Sequence, residues 1–441
     1  MIRFEAASVL MLVLLVSWPA VNIAMALLAW VPRRVPRRLD GPPRRYWIVI
    51  PARDEATVIR RTVDAALAWD SADAPVRVMV VDDASEDGTP DVLAAIDDPR
   101  LVVIRRERPH ARQGKGEALN EAYRVIRDRA LASGEADTTV IGVVDGDGRG
   151  GPGVVRDVVD HYFSHPEVGA LQCRVRIHNR GPLLGLLQDI EFGCVANAAQ
   201  SFRDLVDSVG MGGNGQFVRL PDLMRFGRSP WSNCLVDDLE LGLRLHLAGV
   251  RVRYTPHAVI DQQAVVRVGP LLRQRARWAQ GNLQCSRYVR SLARSREVGS
   301  IGLIDYLAYL VAPWLTAPFS ILFLAVVAAV VSGLVTGSGF GGLVAVGDSV
   351  PYAVAVWAVM IFLPGLAWGL WHRLHLRDEP LSRCLAAGLC YPFFLMMGIV
   401  STWLGLIRYA LGRDDWAKTE RVGEQPAGRA TTVPGRASAR Q

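Results

Sequence analysis

Lysine is nearly absent from this chain of 441 residues, which carries it only at positions 115 and 418. The net charge of +7 therefore rests almost wholly on arginine. Many arginines lie beside apolar segments, as in Arg33-Arg34 and Arg37-Arg38, where they suit anionic lipid headgroups. Because no basic region, zinc-finger spacing or RNA-type aromatic motif accompanies them, the sequence argues against nucleic acid as a partner.

Paired cysteines and phosphate-binding glycine loops are also missing. The six cysteines stand far apart without a CxxC pair, which argues against a zinc site or a dense disulfide framework and predicts reduced, mostly buried thiols. No P-loop is present, and the first buried strand is followed by Pro51-Ala52-Arg53 rather than by a glycine-rich turn. Kinase and dehydrogenase activities are therefore disfavoured.

Long apolar runs are confined to the two ends of the chain. Residues 7–31 are almost unbroken apolar, and about 20 such residues are needed to span a bilayer. The arginine cluster follows this run, whereas a signal peptide carries its charge in front. The sequence predicts a retained transmembrane anchor over 1–32, with the chain from residue 33 onward in the cytoplasm.

Three further apolar blocks follow residue 300: Ile301 to Val335, Val350 to Trp371, and Leu385 to about Leu411. They predict an integral membrane protein of the bacterial cell-membrane type, with membrane lipids as partners. We expect a transmembrane region over 301–411 and a flexible tail over 412–441. Counting spans places this tail outside, but its charges are typical of a cytoplasmic segment, so one block could instead form a hairpin or an interfacial helix.

Between the apolar ends, short apolar runs alternate with helical stretches. Near-continuous runs such as Tyr46–Ile50, Val76–Val81 and Val140–Val144 are typical of strands buried on both faces of a parallel sheet. Alternating leucines from 239 to 247 resemble a strand, but Gly249 and the β-like run after it favour a helix over 238–248. The pattern predicts a doubly wound α/β domain, mainly parallel, over 45–265, with ligands at the carboxyl ends of the strands.

Carboxylates follow several of these strands. Pro51 to Glu55 follow the first, Asp82-Asp83 the second, and Asp145-Gly146-Asp147 the fourth. A single D-x-D is more often a turn than a metal site, but three acidic sets at one sheet edge point to a site. Carboxylates approach a diphosphate through a divalent cation, and Mg²⁺ or Mn²⁺ accept such oxygen ligands.

Taken in order, the motifs between residues 46 and 281 resemble those of membrane-bound glycosyltransferase family 2, which holds cellulose, chitin, hyaluronan and poly-N-acetylglucosamine synthases. The motifs are Val49 to Glu55, Val81 to Ser85, Gly114 to Asn120, Asp145 to Asp147, Gly212 to Gly215, Asp237-Asp238 and Gln274 to Trp278. The resemblance implies a GT-A type domain flanked by transmembrane helices, with a nucleotide-sugar donor.

The resemblance also implies a role for each motif. The nucleotide side would comprise Pro51, Ala52, Glu55, Asp82, Asp83, Lys115 and Asp145. Asp145 and Asp147 would hold the metal, and Gly213 and Asn214 would face the acceptor. Asp238 would be the general base, although the usual Thr-Glu-Asp reads Val236-Asp237-Asp238 here, so Asp237 stays open as the alternative. Acidic residues at a helix start are favourable in any case, which is the plainer explanation for Asp237.

Residues 266–297 read as a basic amphipathic helix on the membrane surface. They contain Gln274-Arg275-Ala276-Arg277-Trp278, which resembles the family's Gln-x-x-Arg-Trp signature at the acceptor channel. By resemblance, Gln274 and Arg277 would meet the donor diphosphate and Trp278 would face the acceptor sugar.

The combined evidence predicts an inverting enzyme that transfers a sugar from a UDP-sugar, GlcNAc or glucose, to a growing β-linked polysaccharide. The alternative is one transfer to a lipid or short glycan acceptor. A transport or scaffold protein with an inactive transferase domain is a third hypothesis, against which the intact aspartates argue.

Overall fold

The structure, a computed structural model, describes residues 16–17, 19–336 and 350–413. An eight-stranded sheet, in the order β3-β2-β1-β4-β7-β6-β8-β5, forms the centre of the described chain. The strands are β1 (Arg45–Ala52), β2 (Val76–Asp82), β3 (Leu101–Arg105), β4 (Thr139–Val143), β5 (Arg149–Gly150), β6 (Val168–Ile177), β7 (Gln216–Arg219) and β8 (Arg251–Gln262).

The helices lie around the sheet and beyond its C-terminal end. They are α1 (Pro19–Leu28), α2 (Ile59–Leu67), α3 (Thr89–Ala94), α4 (Lys115–Ala132), α5 (Asp160–Phe163), α6 (Leu183–Ile190), α7 (Asn197–Leu205), α8 (Leu220–Met224), α9 (Asp237–Leu247), α10 (Val268–Cys285), α11 (Val289–Arg294), α12 (Ser300–Thr336), α13 (Val350–His375) and α14 (Leu381–Ala410). Two π-helical turns, Val154–Val159 and Glu191–Ala196, precede α5 and α7.

The predicted α/β class is confirmed, and the first four strands of the sheet order are parallel. Strand β1 pairs in parallel with β2 and β4, β2 with β3, and β6 with β8. Strand β7 runs antiparallel between β4 and β6. This strand was not predicted, because its four residues, Gln216 to Arg219, begin and end with polar side chains and form no apolar run.

Both faces of the parallel strands are buried, which explains their near-continuous apolar sequences. Ile48 and Ile50 of β1 point into a core shared with helix α2, whereas Trp47 and Val49 point into a second core shared with α4. Successive side chains of a strand point to opposite faces, so a strand covered on both sides must be apolar at every position.

Helix α9 lies between two cores as well. Leu241 and Leu245 contribute to the core under α4, and Leu239 and Leu243 pack with residues from α10 to α12. Each pair is four residues apart and so lies on one helix face. The alternating leucines that resemble a strand are therefore the two buried faces of a helix, as predicted.

The long C-terminal helices pack closely on each other and on α10. A Cβ atom on Gly405 of α14 would lie 2.9 Å from the carbonyl oxygen of Ala276, so these two helices touch through glycine. Within the described residues, Ser300–Leu322 of α12 and the whole of α14 are long and apolar enough to cross a membrane. The three apolar blocks of the sequence correspond to α12, α13 and α14.

The arginine-rich segment after residue 32 packs against the α/β domain, which differs from the expectation of lipid contacts. Arg38 and Arg44 both pair with the buried Asp160, at 2.6 and 3.2 Å, and Arg33 pairs with Asp204 at 3.2 Å. A buried carboxylate needs such partners. Most of the predicted anchor before Pro19, and the tail from residue 414, lie outside the described residues.

Candidate active site

The carboxyl ends of β1 and β4 open into a cavity of about 500 Å³ that extends to α9, α10 and α12. Its lining contains every predicted site residue except Asp82: Pro51, Ala52, Glu55, Asp83, Lys115, Asp145, Asp147, Gly213, Asn214, Asp238, Gln274, Arg277 and Trp278. Parallel strands end at one edge of a sheet, and this brings residues that are far apart in sequence into one crevice.

Three charged side chains converge on Gly213. Lys115, the first residue of α4, lies with Nζ 2.6 Å from Oδ1 of Asp145, just after β4. A Cβ atom on Gly213 would lie 2.9 Å from that Nζ and 3.2 Å from Oδ2 of Asp238. The space beside the Cα atom of Gly213 is thus occupied by the charged ends of Lys115, Asp145 and Asp238.

Asp237 and Asp238 begin α9 and face this cluster. Oδ1 of Asp238 accepts a hydrogen bond from the Leu239 backbone N–H at 2.8 Å, and Oδ2 is the atom directed at Gly213. Oδ2 of Asp237 is buried and has no hydrogen-bond partner in the described structure. Burial raises the pKa of Asp237 to about 7, although Lys115 opposes the shift, and burial also raises the pKa of Asp238.

Lys115 carries its charge firmly in this setting. Burial lowers the pKa of Lys115, but the charges of Asp145, Asp237 and Asp238 raise it by more. The pKa of Lys115 therefore lies above its usual value. The lysine thus offsets part of the negative charge that three neighbouring carboxylates bring to one site.

Asp147 is 2% exposed, and its Oδ2 accepts a hydrogen bond from the backbone N–H of Gln263 at 2.9 Å. Asn214 links the Asp145–Asp147 turn to the end of β8. Its Oδ1 accepts a hydrogen bond from the Asp145 backbone N–H, and its Nδ2 donates one to the side chain of Gln262. The described residues contain no cluster of three or more His, Cys, Asp or Glu side chains arranged for a metal. Two carboxylates beside an open cavity still fit Mg²⁺ or Mn²⁺, which commonly take their other ligands from phosphate and water.

Asp83 and Asp82 have different surroundings. Asp83 lines the cavity, and its Oδ1 accepts hydrogen bonds from Arg106 at 2.6 Å and from the Arg112 backbone N–H at 3.0 Å. Asp82 is 1% exposed and bonds to the Ser85 N–H and to Arg105 of β3 instead. Asp82 therefore lies outside the cavity lining and holds the turn that presents Asp83, and its contact with a nucleotide stays a prediction.

On the side of α10, aromatic and cationic groups surround Trp278. The Phe192 ring meets the Trp278 ring edge-on, with centroids 6.2 Å apart, and the guanidinium of Arg275 lies 5.8 Å from the Trp278 centroid. Arg275 also pairs with Glu191 at 2.7 Å, and Arg277 donates to the Leu235 carbonyl at 3.2 Å. Both arginines therefore make contacts within the protein.

The predicted surface helix over 266–297 is also interrupted. Helix α10 ends at Cys285, and α11 begins at Val289 after a 3₁₀ turn. Near this turn, Arg287 and Tyr288 both bond to the buried Glu240 of α9. The segment thus connects to the helix that carries Asp238.

Several cavity residues were not predicted, chiefly Arg112, Phe192, Gln263, Asn282 and Tyr309. Asn282 lies four residues after Trp278 on the same helix, a spacing that places both on one face. Tyr309 belongs to the apolar helix α12, where hydrophobicity indicates only a membrane span. No pattern in the sequence marks a residue of that helix as part of the site.

Comparison with known proteins identifies the family of this chain. The profile of glycosyltransferase-like family 2 matches residues 42–281, more than half of the chain. The chain is 32% identical to a beta-monoglucosyldiacylglycerol synthase of Synechocystis over 277 residues, which is 59% of this chain and 53% of the relative. It is 26% identical to a poly-beta-1,6-N-acetyl-D-glucosamine synthase of Staphylococcus aureus, over 46% of this chain and 47% of the relative.

The chain thus spans about half the length of the curated relatives it matches. A mannosyltransferase from Pyrobaculum calidifontis, solved with GDP-Man and Mn²⁺, superposes with a TM-score of 0.55 at 17% identity, over 93% of this chain and 99% of that one. This likeness supports the GT-A type fold. With the profile match over residues 42–281, the chain belongs to glycosyltransferase family 2.

Proposed function

We propose that this protein is an inverting glycosyltransferase that moves a sugar, glucose or GlcNAc, from a UDP-sugar to an acceptor at a membrane. The observation that carries the proposal is the convergence of Lys115, Asp145 and Asp238 on Gly213 inside the cavity. Displacement at an anomeric carbon needs a carboxylate that accepts a proton from the acceptor hydroxyl and a positive charge that stabilises the departing diphosphate. Asp238 and Lys115 bring these two groups together in one cavity.

Asp238 is the general base in this mechanism. Oδ1 is held by the Leu239 N–H, so Oδ2 is positioned to accept the proton of the acceptor hydroxyl. The hydroxyl oxygen bonds to the anomeric carbon as the bond from that carbon to the diphosphate breaks, and UDP leaves. Attack opposite the leaving group inverts the configuration, so an α-linked donor gives a β-linked product.

Lys115 and Arg277 face the same cavity and offset negative charge on the leaving diphosphate. Asp145 and Asp147 would hold a divalent cation, Mg²⁺ or Mn²⁺, which would supply Lewis-acid stabilisation of the diphosphate oxygens. The nucleotide lies, in this proposal, toward Pro51, Ala52, Glu55 and Asp83. Gly213, Asn214 and Trp278 remain for the acceptor.

For the acceptor, we favour a lipid hydroxyl. Phe192, Trp278 and Tyr309 line the cavity where it meets α10 and α12, and α12 exposes Ile304 and Phe319 on its outer surface. An acceptor with an apolar body suits such a wall. The similarity to a beta-monoglucosyldiacylglycerol synthase supports this choice.

A growing polysaccharide is the second candidate. It is supported by Trp278 in the cavity, within a segment that resembles the signature of processive synthases, and by the similarity to a poly-N-acetylglucosamine synthase. The apolar helices support membrane association, and we propose an integral membrane protein with its catalytic domain in the cytoplasm, where nucleotide sugars are made.

The decisive experiment uses the full chain in detergent or vesicles with labelled UDP-glucose and UDP-GlcNAc. We expect label in a single-sugar lipid when diacylglycerol is supplied, and none with Asp238→Asn. A ladder of longer products would instead support the polysaccharide synthase. If no labelled product forms with either donor, with diacylglycerol or an oligosaccharide primer present, the glycosyltransferase proposal is wrong.

A further inference from the structure

Tyr309 is the one residue of the apolar helix α12 that lines the cavity among the residues described. Asn282 of α10 and Asp238 of α9 line the same cavity as Tyr309. A phenol group thus extends from a membrane-type helix into the space beside the general base.

The ring of Tyr309 is held in place from the catalytic domain. The guanidinium carbon of Arg203 lies 4.8 Å from its ring centroid, within the range of a cation–π contact. Arg203 is itself fixed by Asp305, one turn earlier on α12, at 2.9 Å, and Ser208 donates to the same carboxylate at 3.0 Å. The start of α12 and the Tyr309 ring are therefore oriented by one set of contacts with α7 and the loop after it.

Tyr306, three residues earlier on the same helix, shows what a purely structural tyrosine looks like here. It is 2% exposed, its hydroxyl donates to the Val209 carbonyl at 3.3 Å, and its ring packs against His246. Tyr306 does not line the cavity, whereas Tyr309 does. The two tyrosines differ in exposure to the site rather than in chemistry.

We propose that Tyr309 is an acceptor-positioning residue, which forms with Asn282 and Trp278 a subsite on the α10–α12 side of the cavity. A phenol hydroxyl both donates and accepts, so it can bond to an acceptor oxygen, and the Asn282 amide in the same cavity can bond to a neighbouring one. Its ring covers the apolar part of the acceptor next to the reacting hydroxyl. The proposal rests on the proposed glycosyltransferase function, and it assigns the direction from which the acceptor approaches Asp238.

The test compares Tyr309→Phe, Tyr309→Ala and the matched control Tyr306→Phe in the full-length enzyme. Initial rates are measured over a range of diacylglycerol in vesicles and over a range of UDP-glucose, and UDP binding is measured separately. Loss of one hydrogen bond predicts a KM for the acceptor raised roughly 3- to 10-fold in Tyr309→Phe. The alanine variant should raise it further, while UDP affinity and the KM for UDP-glucose stay within about 2-fold of wild type for all three proteins.

An Asn282→Ala variant provides a second measurement. If Asn282 and Tyr309 bind the same acceptor in one subsite, the change in acceptor KM in the double variant Asn282→Ala/Tyr309→Phe is smaller than the product of the two single changes. Unchanged acceptor KM in both Tyr309 variants of an enzyme that transfers sugar would overturn this inference alone. An equal change in Tyr306→Phe would assign the effect to helix packing and would also overturn it. Failure of the wild-type enzyme to transfer would count against the proposed function instead.

Discussion

Nζ of Lys115 lies 2.6 Å from Oδ1 of Asp145, the first carboxylate of the motif that the sequence assigns to a metal. Lys115 is 30 residues from this motif in the sequence, and its helix reaches the cavity only in the folded domain. One oxygen of Asp145 is thus paired with an ammonium group. The lysine and a divalent cation would share the neutralisation of the diphosphate.

Replacing this lysine should move the acid limb of the pH–rate profile. Asp238 must be deprotonated to act as a base, so activity is present above its pKa and is lost as the pH falls through it. Burial raises that pKa and Lys115 lowers it, so Lys115→Met should shift the limb to higher pH and Lys115→Arg should shift it less. The measurement is kcat/KM between pH 5 and 9. An acid limb at the same pH in Lys115→Met would show that the lysine does not act on the base.

The two aspartates of α9 should respond differently to removal of their charge. Asp238→Asn should lower kcat about 10²- to 10⁴-fold with UDP affinity nearly unchanged, since the proton acceptor is lost. Asp237→Asn should lower it less, because the Oδ2 atom of Asp238 is the one directed at Gly213. Assays of kcat and UDP binding for both variants decide the assignment. A larger loss in Asp237→Asn would make Asp237 the base.

Asp237→Asn should also stabilise the fold at neutral pH. Burial raises the pKa of Asp237 to about 7 in the folded protein, so the folded state favours the protonated carboxyl. This preference stabilises the fold fully below the pKa of the unfolded state, and the stabilisation is lost as the pH rises through 7. A neutral asparagine avoids the cost of the buried charge. Thermal unfolding at pH 8 should therefore show a higher Tm for the variant, and unfolding at pH 4 little difference. A lower Tm at pH 8 would contradict the pKa shift.

Much of this fold follows from local sequence patterns, and the exceptions arise from long-range packing. The strand ends predicted the Pro51–Glu55, Asp83 and Asp145–Asp147 parts of the site, because parallel strands finish at one edge. The other site residues were predicted only through the family resemblance. The sequence did not show that Asp82 lies outside the cavity lining, because its partner Arg105 is supplied by the neighbouring strand β3. Arg38 and Arg44 follow an apolar run, a pattern typical of contacts with lipid headgroups. Their partner Asp160 lies more than 100 residues later in the sequence and reaches them only in the folded protein. Tyr309 was missed because an apolar helix gives no sign of which face meets another domain.

Substitutions of Asp147 test whether this carboxylate holds a divalent cation. Asp147→Asn keeps an oxygen that can accept from the Gln263 N–H but removes the negative charge, whereas Asp147→Ala removes both. If the carboxylate holds a cation, both variants should lose Mg²⁺- or Mn²⁺-dependent UDP binding, and EDTA should stop the wild-type enzyme. Isothermal titration with UDP, with and without metal, separates the two roles. Metal-dependent binding restored by asparagine would reduce Asp147 to a structural contact, and full turnover in EDTA would remove the cation from the mechanism.

Substitutions of Trp278 distinguish two roles for its ring, as a contact surface for the acceptor or as a membrane anchor. Its ring lines the cavity between Phe192 and the guanidinium of Arg275, so we expect it to cover the acceptor, a contact worth roughly a few kcal/mol. Trp278→Ala should then slow product formation and raise the acceptor KM, with UDP affinity near normal. Trp278→Phe should recover only part of the loss, because the smaller ring covers less of the acceptor. These values are measured on samples matched for folded protein in vesicles. Full recovery with phenylalanine, or a loss that follows poor membrane insertion, would instead identify Trp278 as an anchor and remove the main support for a polysaccharide acceptor.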